Sequence, residues 1–211
     1  MDAYEAIMTR KTVRNFQKRK PDRDTVIRII KAGLKAPSNN HLREWEFIIM
    51  DDEPRRIALL EKIPKNFSRE QVETWLDSWN SSDPLQRNCY LDAVPKQYAM
   101  LLTAGCLILP FFRQDYPLLN PSKINDLNGF ASIWCCIENM LITASAEGLY
   151  GVVRIPFPDE IPHIKEITGC PDNYEIPCYL ALGYPEKNAA EVKQPDIKAE
   201  DHIHWNGKFH G

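Results

Sequence analysis

Two rhythms of apolar residues run along this 211-residue chain, and the points where one replaces the other mark its elements. Near the start, Asp2 stands as an N-cap before a short helix whose inner face is Ala3, Ala6 and Ile7. Pro21 and Asp22 open a second helix, in which Val26, Ile30, Gly33 and Leu34 recur at helical spacing until Ala36, the residue before Pro37, stops it. A polar connection then feeds the apolar strand Phe47, Ile48, Ile49 and Met50. Residues 54–63 read as a helix with Pro54 in its first turn. Ser68, Arg69, Glu70 and Gln71 spell a capping box, after which Val72, Trp75, Leu76 and Trp79 follow at i, i+3, i+4 and i+7. That stripe must be covered, either by the core or, if the helix is a lid, by a flat substrate stacked on the tryptophans.

Residues 80–87 read as a polar loop, and 99–112 contain a long apolar run whose centre, Cys106, Leu107, Ile108 and Leu109, predicts a buried strand. An irregular linker spans 116–128. From 129 to 147 the chain is apolar nearly all round, through Phe130, Ile133, Trp134, Ile137, Met140, Leu141 and Ala144, and it stops at Gly148. This predicts a central helix buried on several sides, long enough to lie at the middle of a dimer. Val152, Val153, Arg154 and Ile155 form a short strand ended by Pro156. Residues 162–168 form a helix stopped by Gly169, and 178–184 a last apolar strand. The remainder is polar and proline-interrupted with a small apolar cluster at Ile203 and Trp205, a tail that is either frayed or wrapped on a neighbour.

The length favours one domain over 1–211, and 44% hydrophobic with 26% charged residues is ordinary for a soluble globular chain. A formal net charge of -3 gives no reason to expect nucleic acid, so local basic clusters must serve something small. No run approaches the ~20 consecutive apolar residues of a membrane span, and the first residues lack a signal peptide, so a cytoplasmic location without a membrane partner is expected. The six cysteines include no CxxC pair and read as reduced thiols, with Cys135 and Cys136 as packing residues on different helix faces.

The chemistry concentrates in Arg10, Lys11, Thr12, Val13, Arg14, Asn15 and Phe16. Two guanidinium forks, one ammonium and a hydroxyl within five residues suit a phosphate dianion, while the same run could be a solvated basic face. The connection 36–45 is rich in donors and acceptors that could meet a ligand or satisfy their own turn. The histidines of the tail, His202, His204 and His210, match no strong metal signature, and no metal is expected.

In their order along the chain, these features resemble the FMN-dependent nitroreductase family. The opening basic segment matches at Arg10, Lys11, Thr12, Val13, Arg14 and Phe16, and the Ala-Pro-Ser loop running to a Trp matches at Ala36, Pro37, Ser38 and Trp45. The long helix ending in Gly-Leu matches at Gly148 and Leu149, and a Leu-Gly-Tyr-Pro strand end at Leu182, Gly183, Tyr184 and Pro185. The resemblance implies an α+β fold, three-layer α/β/α, with an antiparallel-rich central sheet flanked by helices, and an intertwined homodimer with FMN at its interface. It implies a lid or insert over 64–98 and a C-terminal arm over 186–211 within the single domain.

By the same resemblance Arg10, Lys11 and Thr12 hold the flavin phosphate, and Arg14 approaches the pyrimidine edge, where a fixed cation eases reduction. Pro37, Ser38, Asn39 and His41 belong to the loop that meets the flavin of the other subunit. The backbone of Val153, Arg154 and Ile155 faces flavin N5, and Lys193 stands for a C-terminal phosphate-binding arginine. Trp75 and Trp79 are lid candidates over the substrate. The implied reaction is hydride transfer from NADH or NADPH through flavin N5 to an electron-poor small molecule, nitroaromatic or quinone, with no catalytic side chain. No GxGxxG suggests a separate nicotinamide site. A reductive dehalogenase, a flavin-processing enzyme and a non-catalytic flavin-binding module are the alternatives. His41 resembles the iodotyrosine deiodinase branch, but Arg43 and Glu44 replace that branch's Glu-Pro. Pro156 falls where many relatives carry glycine and has no amide proton to donate.

Overall fold

The computed structural model describes residues 1–191 and 195–206. Its strands are β1 (Trp45–Ile49), β2 (Cys106–Arg113), β3 (Tyr150–Arg154), β4 (Tyr174–Glu175) and β5 (Tyr179–Gly183). They form one antiparallel sheet in the order β1-β2-β5-β3, with β4 paired to the end of β2. The helices are α1 (Ala3–Thr9), α2 (Arg23–Gly33), α3 (Glu53–Leu59), α4 (Arg69–Ser78), α5 (Pro84–Thr103), α6 (Asn128–Ala146) and α7 (Glu160–Thr168).

The layers follow from the two-residue period of the central strands. Leu107, Leu109 and Phe111 of β2, with Tyr179 and Ala181 of β5, join a core built with Leu59, Leu60, Met100, Leu101 and Ile164. Cys106, Ile108 and Phe112, with Leu180 and Leu182, turn the other way onto Ile29, Ile133, Cys136, Ile137 and Met140. The sheet is therefore buried on both faces, with α3, α5 and α7 on one side and α2 and α6 on the other, as the α/β/α expectation requires. Pro110 is tolerated inside β2 because it falls between the pairing with β5 at 106–108 and the pairing with β4 at 112–113, so no ladder bond on that side needs its missing proton.

Local signals account for most element ends. Asp2, Asp22, Asp52 and Ser68 each accept a backbone N–H as N-caps, and the capping box at Ser68 and Gln71 is complete. α6 ends where Gly148 takes φ 74°, which a residue with a Cβ resists. By length and composition α6 could cross a membrane, but Ile133, Cys136, Ile137, Met140, Ala144 and Ser145 are buried in this fold, as in a core helix.

Three expectations need correction. Of the apolar face expected on α1, which packs on α6, only Ala6 is buried; Ile7 is 50% exposed in the single chain. Cys136 packs in the core, but Cys135 is exposed. The expected polar loop ends early, since Pro84 begins a 20-residue helix capped by Asp83. Pro95 inside that helix and apolar residues scattered around its circumference hide it from a reading by periodicity.

Candidate functional site

A cleft of about 780 Å³ opens between α4, α5 and the end of β3. Its lining is mostly apolar and includes a cluster of aromatic rings. Trp75 stacks toward Trp79 at 6.2 Å, Trp79 meets Tyr90 edge-on at 5.6 Å, and Phe157 closes on Trp75 at 6.3 Å. The expected stripe of α4 thus divides. Val72 and Leu76 enter the core, whereas Trp75 and Trp79 line the cleft, with Trp79 54% exposed. On α5, Gln86, Tyr90, Val94 and Gln97 face the same space at i, i+4, i+8 and i+11.

The floor is a buried polar network. Arg154 grips Glu160 through two 2.6 Å hydrogen bonds, and its Nε donates to Gln97 Oε1 at 2.8 Å. The Tyr179 hydroxyl lies 3.2 Å from Glu160 Oε2; burial, then the Glu160 charge, push its pKa up, so it stays protonated and donates. At the wall, Arg14 Nη1 donates to Asp92 Oδ2 at 3.1 Å, and Lys96 holds the other oxygen of Asp92. Arg14 Nε and Gln97 Nε2 are buried and have no acceptor among the described residues. Bare buried donors are costly, so two at one cleft are an outstanding demand for an acceptor-rich occupant.

The expected site residues fall into two groups. Arg14, Trp75, Trp79, Val153, Arg154 and Ile155 meet in this cleft. Arg154 does so with its side chain committed to Glu160, and Ile155 is 64% exposed at the mouth. The basic heptad runs along the free edge of β3: Thr12 bridges Gly151, Val13 N–H donates to Gly151 O at 3.2 Å, and Phe16 bridges Pro185. Phe16 packs so closely on Gly183 that a Cβ there would stand 2.7 Å from its ring. Arg10 pairs with Glu138 at 3.5 Å and Lys11 with Glu191; neither is among the residues lining the cleft. The hydrogen bond between Lys11 and Glu191 raises the lysine pKa and lowers that of the carboxyl.

The loop with Pro37, Ser38, Asn39 and His41 lies elsewhere. Asn39 N–H donates to Ser132 Oγ at 3.0 Å near the start of α6, and Ser38 and Asn39 line a separate polar hollow of about 390 Å³. Pro37 and His41 are exposed, and within one chain this loop does not meet the aromatic cleft. Lys193 lies outside the described residues.

The sequence reading missed Asp92, Gln97, Glu160 and Phe157. The spacing of Gln86, Tyr90, Val94 and Gln97 was the available signal, masked by Pro95. Cys89 lines the cleft half-buried, while Cys106 and Cys136 are thiols whose pKa burial pushes up to about 12, which removes them from thiolate chemistry. Among the described residues, no cluster of three His, Cys, Asp or Glu could hold a metal ion.

Similarity to known proteins follows the same outline. The Nitroreductase family profile matches residues 7–184. An iodotyrosine deiodinase of Thermotoga neapolitana is 26% identical over 191 residues, spanning 87% of this chain and 88% of that protein. Among solved structures, the NADPH:FMN oxidoreductase of Vibrio harveyi complexed with NAD+ superposes with a TM-score of 0.70 at 20% identity, covering 99% of this chain and 78% of that one. Nitroreductase A of Vibrio parahaemolyticus gives a TM-score of 0.70 at 21% identity, covering 100% and 78%. At such identities the two structures speak for the fold.

Proposed function

Because this chain belongs to the nitroreductase family, we propose that it is an FMN-dependent oxidoreductase, taking electrons from NADH or NADPH and passing them to an electron-poor planar acceptor of the nitroaromatic or quinone kind. The observation that carries this reading is the combination of an aromatic cluster in the cleft wall with two buried donors, Arg14 Nε and Gln97 Nε2, that have no acceptor among the described residues. An isoalloxazine is flat and apolar over most of its area and rich in acceptors along its pyrimidine edge, so the residues present fit it. The NADPH:FMN oxidoreductase of Vibrio harveyi, which shares the fold, supports the choice of cofactor and donor.

In this reading FMN, when bound, supplies the hydride chemistry, and the side chains hold, tune and shield it. Arg14 is a cation, and its position in the cleft wall favours electron gain by a ring beside it. Arg10, Lys11 and Thr12 hold the phosphate from the sheet edge. Lys11 must exchange Glu191 for that phosphate, an easy step because an exposed pair of this kind contributes little. Trp75 and Trp79, on the helix of the 64–98 insert, stack on the acceptor and exclude water.

A homodimer completes the site. Tyr4, Ile7 and Met8 of α1 are 74%, 50% and 67% exposed in the single chain, an apolar face suited to a second copy. The loop with Pro37, Ser38, Asn39 and His41 from that copy then closes on the cofactor.

A purified protein that is yellow, is reduced anaerobically by NADH or NADPH and is reoxidised by members of an acceptor panel fits this reading. A colourless protein that takes up no added FMN ends it. Reductive dehalogenation is the second reading, favoured by the similarity to an iodotyrosine deiodinase. A halogenated amino acid brings an ammonium and a carboxylate that need countercharges. Here Arg154 is committed to Glu160, and of the two cleft arginines Arg14 alone keeps a donor, Nε, without an acceptor among the described residues. Including 3-iodo-L-tyrosine in the panel separates the two.

A further inference from the structure

We infer that Gln97 is a binding residue of the cleft, donating a hydrogen bond from Nε2 to an sp2 oxygen or nitrogen of the molecule that fills it. The argument begins with the orientation of its carboxamide. Arg154 Nε can only donate, and it sits 2.8 Å from one end of the Gln97 amide, so that end must be the oxygen. Arg154 cannot turn away, because its fork is fixed by two 2.6 Å bonds to Glu160, which in turn accepts from Tyr179. The NH2 is therefore forced to the opposite end. Gln97 is 7% exposed, lines the cleft, and its Nε2 has no acceptor within the described residues.

A buried carboxamide locked by one end and bare at the other is a built donor site. The chemistry it selects is a carbonyl, a nitro oxygen or a ring nitrogen, and it disfavours a donor such as an ammonium group. A flavin carbonyl and the oxygen of a nitro or quinone acceptor share that chemistry. This inference rests on the flavin reading of the cleft and adds to it a residue on α5, reached through Arg154, Glu160 and Tyr179.

The test compares wild type with Gln97→Glu and Gln97→Met. Gln97→Glu, ionised against Arg154, keeps an oxygen for Arg154 and removes the donor; Gln97→Met removes both without adding charge. Three quantities are read for each: melting temperature of the FMN-free protein, FMN dissociation constant by titration, and KM for a nitroaromatic and a quinone. The expected result is that Gln97→Glu melts close to wild type while both variants weaken binding by about three- to tenfold, the range of one hydrogen bond. A rise in the FMN constant assigns the partner to the flavin, and a rise confined to KM assigns it to the acceptor. If FMN constant and KM both stay within about twofold of wild type, Gln97 only buttresses Arg154 and the inference is overturned. It is equally overturned if Gln97→Glu alone weakens binding, since charge then explains the effect. A wild type that takes up no FMN sinks the flavin reading together with this one, whereas unchanged variants of a yellow protein sink this one alone.

Discussion

Arg14 and Arg154 line the same cleft, and their side chains are held in opposite ways. Arg154 is buried to 7% exposure, clamped on Glu160 through both Nη atoms and on Gln97 through Nε. Among the described residues Arg14 touches one carboxylate, Asp92, through a single 3.1 Å contact, and its Nε is buried without an acceptor. A guanidinium removed from water needs its donors answered, because the charge has lost its hydration. In Arg154 the protein answers them itself, and the residue is framework. In Arg14 part of the answer is missing among the described residues.

Breaking the framework arginine's pair should produce the largest effect. Glu160→Gln leaves a buried guanidinium without its countercharge, costing about 3–5 kcal/mol and lowering the melting temperature by roughly 6–20 °C in a chain of this size. Thermal denaturation followed by circular dichroism checks it, and a shift of only a degree or two would mean that Arg154 is less committed than its geometry indicates.

Arg14→Ala should show the reverse pattern. The expected loss is about 1.5–3 kcal/mol of FMN binding, or roughly 10- to 150-fold in affinity, with little change in the melting of the FMN-free protein. A flavin titration paired with a melt decides this; equal affinity in the two proteins would return Arg14 to the framework class.

Asp92→Asn sharpens the comparison by a smaller step. Removing the carboxylate beside Arg14 leaves its charge uncompensated toward the cleft, so FMN should bind tighter by up to about fivefold and its midpoint potential should rise. Potentiometry against a reference dye reads the second quantity, and a lower potential would contradict the arrangement.

The smallest effect is expected at Lys11 and Glu191, and it depends on pH. The pair depresses the Glu191 pKa, so that side contributes above the ordinary carboxyl range and is lost as pH falls through the lowered value. It raises the Lys11 pKa, so that side is present below the ordinary lysine value and lost as pH rises through the raised one. The pair therefore acts between about pH 5 and pH 10. Within that window Glu191→Gln should bind FMN slightly tighter than wild type, because Lys11 no longer has to exchange partners. Titrations across pH should bring the two curves together in acid, and curves that stay apart there would assign the difference to another cause.

Much of the fold was legible in the sequence because its signals are local. Asp22, Ser68 and Gly148 mark helix ends through bonds and dihedrals within a few residues, and the strand around Leu107 to Leu109 announces itself by continuous apolarity. α5 was not legible, because Pro95 argues against a helix locally and only packing against the sheet and α4 overrides that preference. The basic heptad was legible as chemistry but not as placement. Its position beside β3 comes from the bridge between Thr12 and Gly151, residues far apart in the chain.

What the sequence determined by itself is the family, the order of the elements and the concentration of charge in Arg10, Lys11 and Arg14. Only the tertiary structure decided which arginine has its donors answered within the fold and which keeps one unanswered among the described residues. A side chain's role depends on which partners reach it after folding. Glu160, Tyr179, Asp92 and Gln97 arrive from α7, β5 and α5, and no spacing along the chain records whether a buried donor finds an acceptor.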